Sequence, residues 1–317
     1  MTTPAATTRG SGTGTGTGTG LTYAVLAWVV AYGGLRLAWT IGEVPEFPPF
    51  GSDLLGFTGW RSVALCLAVG TAAVALGRAT TWRPMLAGVA WALSGALVAA
   101  AAILLPELVS ILLFAPGPSF DPVAFASRLG CVTGAALLGL ATARYQRRTR
   151  GDCPDCCRTV RPGRRRSAPA PWARWAAYVA VAGLVTRFAA QAVVGFDSLT
   201  QDASVIGLEI GLVLAGALLP LALVQHWGEV WPRWVPLLAG RTIPRRLLLV
   251  PGFGLGAGIV AYFGMGLTQV ATGSAGEFSD TFLWVAMSAY CLLGLGLLAA
   301  ASDYHLRTRE ACRSCGR

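Results

Sequence analysis

YHLRTREACRSCGR, residues 304–317, ends the chain, and YQRRTRGDCPDCCR, residues 145–158, is an earlier version of the same stretch. Seven of the fourteen aligned positions are identical: Tyr145/Tyr304, Arg148/Arg307, Thr149/Thr308, Arg150/Arg309, Cys153/Cys312, Cys156/Cys315 and Arg158/Arg317. Each copy follows a long apolar run. The chain therefore reads as two halves, each closed by a basic tail that carries Cys-x-x-Cys.

Working outward from the tails, composition sets the class. The 317 residues are 54% hydrophobic and 13% charged, whereas soluble domains carry about 25% charged residues. The charges fall between long apolar runs, the pattern of a polytopic membrane protein. All 25 basic residues are arginine, a composition bias before it is chemistry. The formal net charge of +10 could suggest nucleic acid, but the arginines sit in short loops beside apolar spans. Such clusters set topology and touch anionic lipid headgroups. No aromatic-basic platform of the kind single strands need is present, so nucleic acid is not an expected partner.

The expected fold is an all-α integral membrane protein with eight transmembrane helices, at about 21–42, 59–77, 85–105, 123–143, 173–195, 204–225, 246–270 and 281–302. Residues 1–20 are rich in Thr, Gly, Ser and Ala and are expected to form a disordered tail rather than a signal peptide. The first repeat takes 21–158, a basic Pro/Ala linker 159–172, and the second repeat 173–317. The apolar run 85–114 is too long for one span. Pro106 and Glu107 are expected to break it, leaving 108–114 as a short interfacial piece.

Loop charge alternates. Glu43, Glu46 and Asp53, then Asp121, then Asp197 and Asp202, then Glu277 and Asp280 occupy one set of loops, with no arginine among them. The other set holds Arg78 and Arg83, a tail over 144–172 with nine arginines against two aspartates, Arg233, Arg241, Arg245 and Arg246, and the final tail. The positive-inside rule puts this second set and both termini in the cytoplasm of a cell-membrane protein. Four spans per half is an even number, so the halves share one orientation and form a parallel repeat. Both Cys-x-x-Cys tails then fall on the cytoplasmic side.

Gly252, Gly254, Gly256 and Gly258 match a loose dinucleotide-binding pattern. They sit mid-membrane with no preceding strand, so they read as small residues that let helices approach. The loop HWGEVWPRWVPLLAGRTIPRR, residues 226–246, combines three tryptophans, three prolines and four arginines, which suits a segment at headgroup depth. That loop, the arginine-only usage and the CRxCGR-like tail resemble uncharacterised multi-spanning membrane proteins of actinobacteria. The resemblance covers residues 205–317 best. It implies a membrane location and no particular activity.

The two Cys-x-x-Cys pairs are the strongest chemical signal. Two thiolates three apart on a turn hold one edge of a tetrahedral metal, and a second pair completes four soft ligands. Cys153, Cys156, Cys312 and Cys315 are thus candidate ligands of one structural zinc, formed between pairs 159 residues apart. Flanking arginines favour the thiolates and offset their charge. The same spacing also suits a dithiol/disulfide redox pair, an iron centre, or thiols with no role. Cys157 is a spare thiol or an alternative ligand, and His305 reads as a solvated tail residue. Cys66, Cys131 and Cys291 lie in apolar spans and read as packing residues.

Charges inside spans come second. Arg36 and Arg187 lie at similar depth in the first and fifth spans, and Glu209 lies at a depth in the sixth that allows a pair with Arg187. A charge within the bilayer is costly and takes a partner or a watered cavity. Arg36, Arg187 and Glu209 therefore read as a buried structural pair with a snorkelling arginine, or as an outward-facing site for an anionic solute or lipid headgroup. Arg36 has Glu209 or Glu107 as a possible acid. Arg61 and Arg128 near span ends read as snorkelling. No His-x-x-x-His, no G-x-S-x-G and no Walker lysine occurs, and an enzyme is not the favoured class. The leading function is a membrane scaffold or regulator whose zinc-ordered basic face meets lipid or a cytoplasmic protein partner. The alternative is a small-solute or lipid transporter using the Arg/Glu cluster.

Overall fold

The computed structural model describes residues 16–42, 57, 59–114, 121–150, 168–194, 203–231, 239–273 and 279–308. These residues are almost entirely helical. The helices are α1 (Gly16–Trp28), α2 (Gly34–Ile41), α3 (Gly59–Arg78), α4 (Pro84–Ala100), α5 (Leu104–Phe114), α6 (Pro122–Arg150), α7 (Pro171–Val194), α8 (Ala203–Val224), α9 (Arg245–Ala271) and α10 (Asp280–Arg307). A π-helical turn over Val29–Gly33 joins α1 to α2 without a break, since Trp28, Gly33 and Gly34 all keep right-handed helical angles.

Local chemistry explains the starts. Pro84, Pro122 and Pro171 open α4, α6 and α7, where a missing N–H costs nothing and the fixed φ suits a helix. Asp121 caps α6, its Oδ1 accepting from the N–H groups of Val123 at 2.7 Å and Ala124 at 3.3 Å. Ser279 caps α10 by accepting from Phe282 N at 3.4 Å. The first helix begins at Gly16 rather than near residue 21, because an apolar helix, once nucleated, extends back through a turn of permissive residues. The remainder of the expected N-terminal tail lies outside the described residues.

Among the described residues six helices are long and apolar enough to cross a membrane: Gly20–Ile41, Gly59–Arg78, Pro122–Arg150, Pro171–Val193, Arg245–Ala271 and Asp280–Arg307. By length and composition they make this a membrane-embedded, multi-pass chain. Leucines and valines in mid-helix point away from the bundle, with Leu67 59%, Val185 61% and Leu295 54% exposed, as lipid contact requires. The apolar α4 has 17 residues, about 26 Å at 1.5 Å per residue, against the roughly 30 Å hydrocarbon core. The break after it falls at Ala101–Ile103, not at Pro106. A proline ring clashes with the carbonyl four residues earlier, here Ala102, so the helix ends a turn before the proline. Pro106 itself sits in the first turn of α5, which extends through Phe114.

The helices pack in two groups. In the first, α1 contacts α3 and α6, and α3, α4 and α6 contact one another. In the second, α7 contacts α8 and α10, and α8, α9 and α10 contact one another. Contacts of α4 and α5 with α9 join the groups. Lipid tails offer no hydrophobic gain for helix association, so close backbone approach carries it. The glycine-rich α9 is used in this way. A methyl added at Gly256 would come within 2.9 Å of Leu298 Cγ and 3.2 Å of Gly294 O, and one at Gly258 within 2.9 Å of Leu105 Cδ2. Gly252, Gly256 and Gly258 are thus helix-packing positions, as expected, whereas Gly254 faces open space.

Candidate functional site

The four cysteines expected to bind zinc, Cys153, Cys156, Cys312 and Cys315, lie outside the described residues, as does Cys157. Among the described residues no group of three or more His, Cys, Asp or Glu side chains could hold a metal ion. What the structure does describe is how each tail is rooted. Tyr145 Oη donates to Thr81 O at 2.8 Å and accepts from Arg83 N at 2.7 Å. Arg148 Nη2 donates to the carbonyls of Leu76 at 2.9 Å, Gly77 at 3.3 Å and Ala79 at 2.8 Å. Thr149 Oγ1 bonds back to Tyr145 O at 2.8 Å.

The aligned residues of the last helix do the same. Tyr304 Oη donates to Gly228 O at 3.1 Å, Arg307 Nη2 to Leu223 O at 2.8 Å, and Thr308 Oγ1 to Tyr304 O at 2.7 Å. In both cases the tyrosine is buried and reaches the loop after a neighbouring helix, α3 or α8. In both, the arginine satisfies carbonyls at the C-terminus of that helix, which otherwise lack partners and carry the negative end of the helix dipole. Identity at Tyr145/Tyr304 and Arg148/Arg307 was visible in the sequence. Its role was not, because the partners are main-chain groups far along the chain.

The two latches differ in charge. Arg307 also pairs with Glu229, and its Nε lies 3.7 Å from Asp303 Oδ2. On the first side Arg150 stacks over Trp82 at 4.0 Å, and Trp82 stacks on Tyr145 with centroids 5.8 Å apart. The tryptophan-rich loop is tied into the second latch through Gly228 and Glu229. Its flanks close on each other, with Trp231 N donating to Arg241 O at 2.9 Å and Ile243 N to Glu229 O at 2.9 Å. Residues 232–238 lie outside the described residues.

At the opposite end of the bundle, Arg36 is the centre of a buried polar node. Its Nε and Nη2 donate to Tyr32 Oη at 3.0 and 2.8 Å, and Nη2 donates to Ser127 Oγ at 2.7 Å. Tyr32 Oη in turn donates to Ser127 O at 3.0 Å and lies 3.0 Å from Cys131 Sγ. Trp28 stacks on Tyr32 with centroids 5.2 Å apart and donates from Nε1 to Gly130 O at 2.9 Å. Trp28, Tyr32 and Arg36 are spaced by four, so they follow one face through the π turn, a feature often found at functional sites. Gly130 and Gly134 on α6 make room for the rings. A methyl at Gly130 would come within 2.6 Å of Tyr32 Cε2, and one at Gly134 within 2.3 Å of Trp28 Cζ2. Cys131 is thus more than a packing residue, since it completes the polar shell of Tyr32. Sequence reasoning found Arg36 and missed Tyr32, Ser127 and Cys131, whose signal was the four-residue spacing opposite a Gly-x-x-x-Gly pair.

Glu107 pairs with Arg128. Arg128 is therefore buried and paired rather than snorkelling, because the turn at Ala101–Ile103 lets α5 deliver a carboxylate to α6. Arg61 is exposed, as a snorkelling arginine should be.

Arg187 lies on the half-buried part of α7, with its guanidinium carbon 6.0 Å from the Phe188 ring centroid, 5.9 Å from that of Phe282 and 5.6 Å from that of Tyr290. Its Nη1 is buried with no hydrogen-bond partner among the described residues. Glu209 is on α8, and its side chain lies outside what the structure describes. Arg36 and Arg187 belong to different helix groups and have separate surroundings. No family model, curated protein or solved structure matches the chain, so its own residues carry the functional reading.

Proposed function

We propose that the protein is a membrane scaffold or regulator made of two parallel four-helix repeats, eight spans in all, with both termini in the cytoplasm. α1 with α2, α3, α4 and α6 form the first repeat; α7 to α10 form the second. Cys153, Cys156, Cys312 and Cys315 jointly hold a structural zinc beneath the membrane, and the basic face it orders meets anionic headgroups or a cytoplasmic protein. One observation carries this reading: the aligned tyrosine and arginine of each tail make the same kind of main-chain contact in each helix group, the tyrosine to the loop after a neighbouring helix and the arginine to carbonyls at that helix's end. The helix pairings support it too, since first and second, first and fourth, and every pair among the last three are in contact in both groups. Each first cysteine follows its latch arginine by five residues, Arg148 to Cys153 and Arg307 to Cys312, the same distance along the sequence in both tails.

Zinc content tests the reading. Protein purified under reducing conditions should carry about one zinc per chain, since four thiolates make one tetrahedral site. Serine at any of the four cysteines should lower occupancy sharply, whereas Cys157→Ser and Cys291→Ser should not. Thiolate ligands must lose protons to bind, so metal should leave on acidification. Because the ligands come from both halves, chelator should make fragments cut within the 159–172 linker separate more readily. Negligible metal in a folded, reduced preparation would overturn the zinc assignment and favour a dithiol pair.

A further inference from the structure

We propose that Arg187 is the anchor of a binding site for a phosphate-type oxyanion, either a phospholipid headgroup or free phosphate. The inference rests on the repeat reading above but not on zinc. Superposing Arg36 on Arg187 shifts numbering by 151 and puts Gly183 where the first half has Tyr32. Superposing the tails shifts it by 159 and puts Ala286 where the first half has Ser127. Tyr32 and Ser127 are two side chains that accept from Arg36. Both acceptors have thus been replaced by residues that have none.

The geometry agrees with the substitution. Phe282, Ala286 and Tyr290 are spaced by four on α10, and the two outer rings of that row flank the Arg187 guanidinium at 5.9 and 5.6 Å. Ala286 lies between them on that face and is buried, where Ser127 supplies an oxygen to Arg36. Aromatic faces attract the cation but accept no directed N–H bonds, and Nη1 is left buried without one. A guanidinium carries five N–H donors and no acceptor, so at this depth its remaining donors call for an acceptor. A phosphate oxyanion matches the guanidinium fork with paired, charge-assisted bonds. Arg187 is half-buried rather than enclosed, which leaves the side chain an approach from the bundle surface. No second basic residue among the nearby contacts is needed, because one bidentate pair positions the ligand and the rings screen it from water.

The test is thermal unfolding of the detergent-solubilised full chain, with inorganic phosphate in one arm and phosphatidylglycerol mixed micelles in the other. At matched ionic strength the wild type should gain several degrees, on the order of 2–4 °C per kcal/mol of binding, in at least one arm. A gain with phosphatidylglycerol alone identifies a lipid headgroup; a gain with phosphate as well identifies the free anion as sufficient. Arg187→Gln should abolish the gain. Ala286→Ser should restore the acceptor that Ser127 supplies in the other half, raising stability without ligand and shrinking the ligand-induced gain. The same gain in Arg187→Gln, an undiminished gain in Ala286→Ser, or no gain in either arm overturns the proposal. Should Arg187→Gln fail to fold, Ala286→Ser decides alone. Zinc content of the same preparations reports on the scaffold reading independently.

Discussion

Tyr32→Phe removes one oxygen from the Arg36 node and leaves the ring in place. The stack on Trp28 and the seat over Gly130 survive, so packing is not the quantity measured. What disappears is an acceptor that takes two N–H bonds from the guanidinium and a donor to Ser127 O. A hydrogen bond to a charged group contributes about 1.5–3 kcal/mol in proteins generally. Within membranes, side-chain hydrogen bonds between helices average about 0.6 and reach about 1.7 kcal/mol. Arg36 keeps its 2.7 Å bond to Ser127 Oγ in the variant, so the expected loss is about 1–2 kcal/mol. Ser127→Ala should cost about 1 kcal/mol, because the tyrosine oxygen remains. The double variant removes the Tyr32 and Ser127 acceptors together and should lose more than the sum, by about 1 kcal/mol or more. Thermal unfolding in one detergent reads this as midpoint shifts of about 2–4 °C per kcal/mol. Ser94→Ala is the control: among the described residues its hydroxyl bonds to its own helix, Ala90 O at 3.0 Å, and alanine favours helix. Two additive losses no larger than that of Ser94→Ala would refute the view that Tyr32 and Ser127 hold Arg36 between them.

Arg148→Gln and Arg307→Gln should both lower stability, by about 1–2 kcal/mol for the lost carbonyl contacts, measured by the same unfolding assay. The second should cost more, since it also leaves Glu229 and Asp303 without their cation; equal losses would mean the acids add nothing. Single cysteines in a Cys-free background should be labelled from outside the cell at Ser52, Ser198 and Ser274, and only after opening it at Thr80, Ser167 and Thr242. Outside labelling of Ser167 would break the shared orientation of the two tails.

The helical, membrane-embedded class was legible from the apolar runs alone, and most of the expected ends fall within a few residues of helix ends, because the length of an apolar run is visible without its partners. The break at Ala101–Ile103 was misplaced because the proline was read as the site of its effect, whereas its ring acts on the carbonyl of Ala102, four residues back. Arg128 was misread for a different reason. Position near a span end is the same for a snorkelling arginine and for one with a partner, and the partner, Glu107, was delivered by a turn whose position had not been found. Arg36 and Arg187 stood out because a charge in an apolar run needs no tertiary information to be noticed. Their surroundings did need it.

On the repeat reading proposed above, those surroundings explain how two halves with so few shared residues have corresponding helix pairings. In the first half the bulk sits on the opening helix: Trp28 and Tyr32 press into Gly130 and Gly134 of α6. In the second the bulk has moved across. Gly183 of α7 lies against the α10 backbone, where a methyl would come within 2.5 Å of Ala289 O, and the aromatic ring is Tyr290 of α10, at the position aligned with Cys131. Either arrangement fills the same gap between first and last helices, so packing alone accepts both. Hydrogen bonding does not. When the tyrosine is on the opening helix, four residues before the arginine, its hydroxyl reaches Arg36 and a serine on the facing helix completes the shell. When the ring comes from the facing helix, it lies 5.6 Å from the Arg187 guanidinium as a face rather than an acceptor. On the repeat reading proposed above, moving bulk between helices keeps the bundle and changes the chemistry at one arginine: Arg36 donates to Tyr32 and Ser127, whereas Arg187 Nη1 has no acceptor among the described residues.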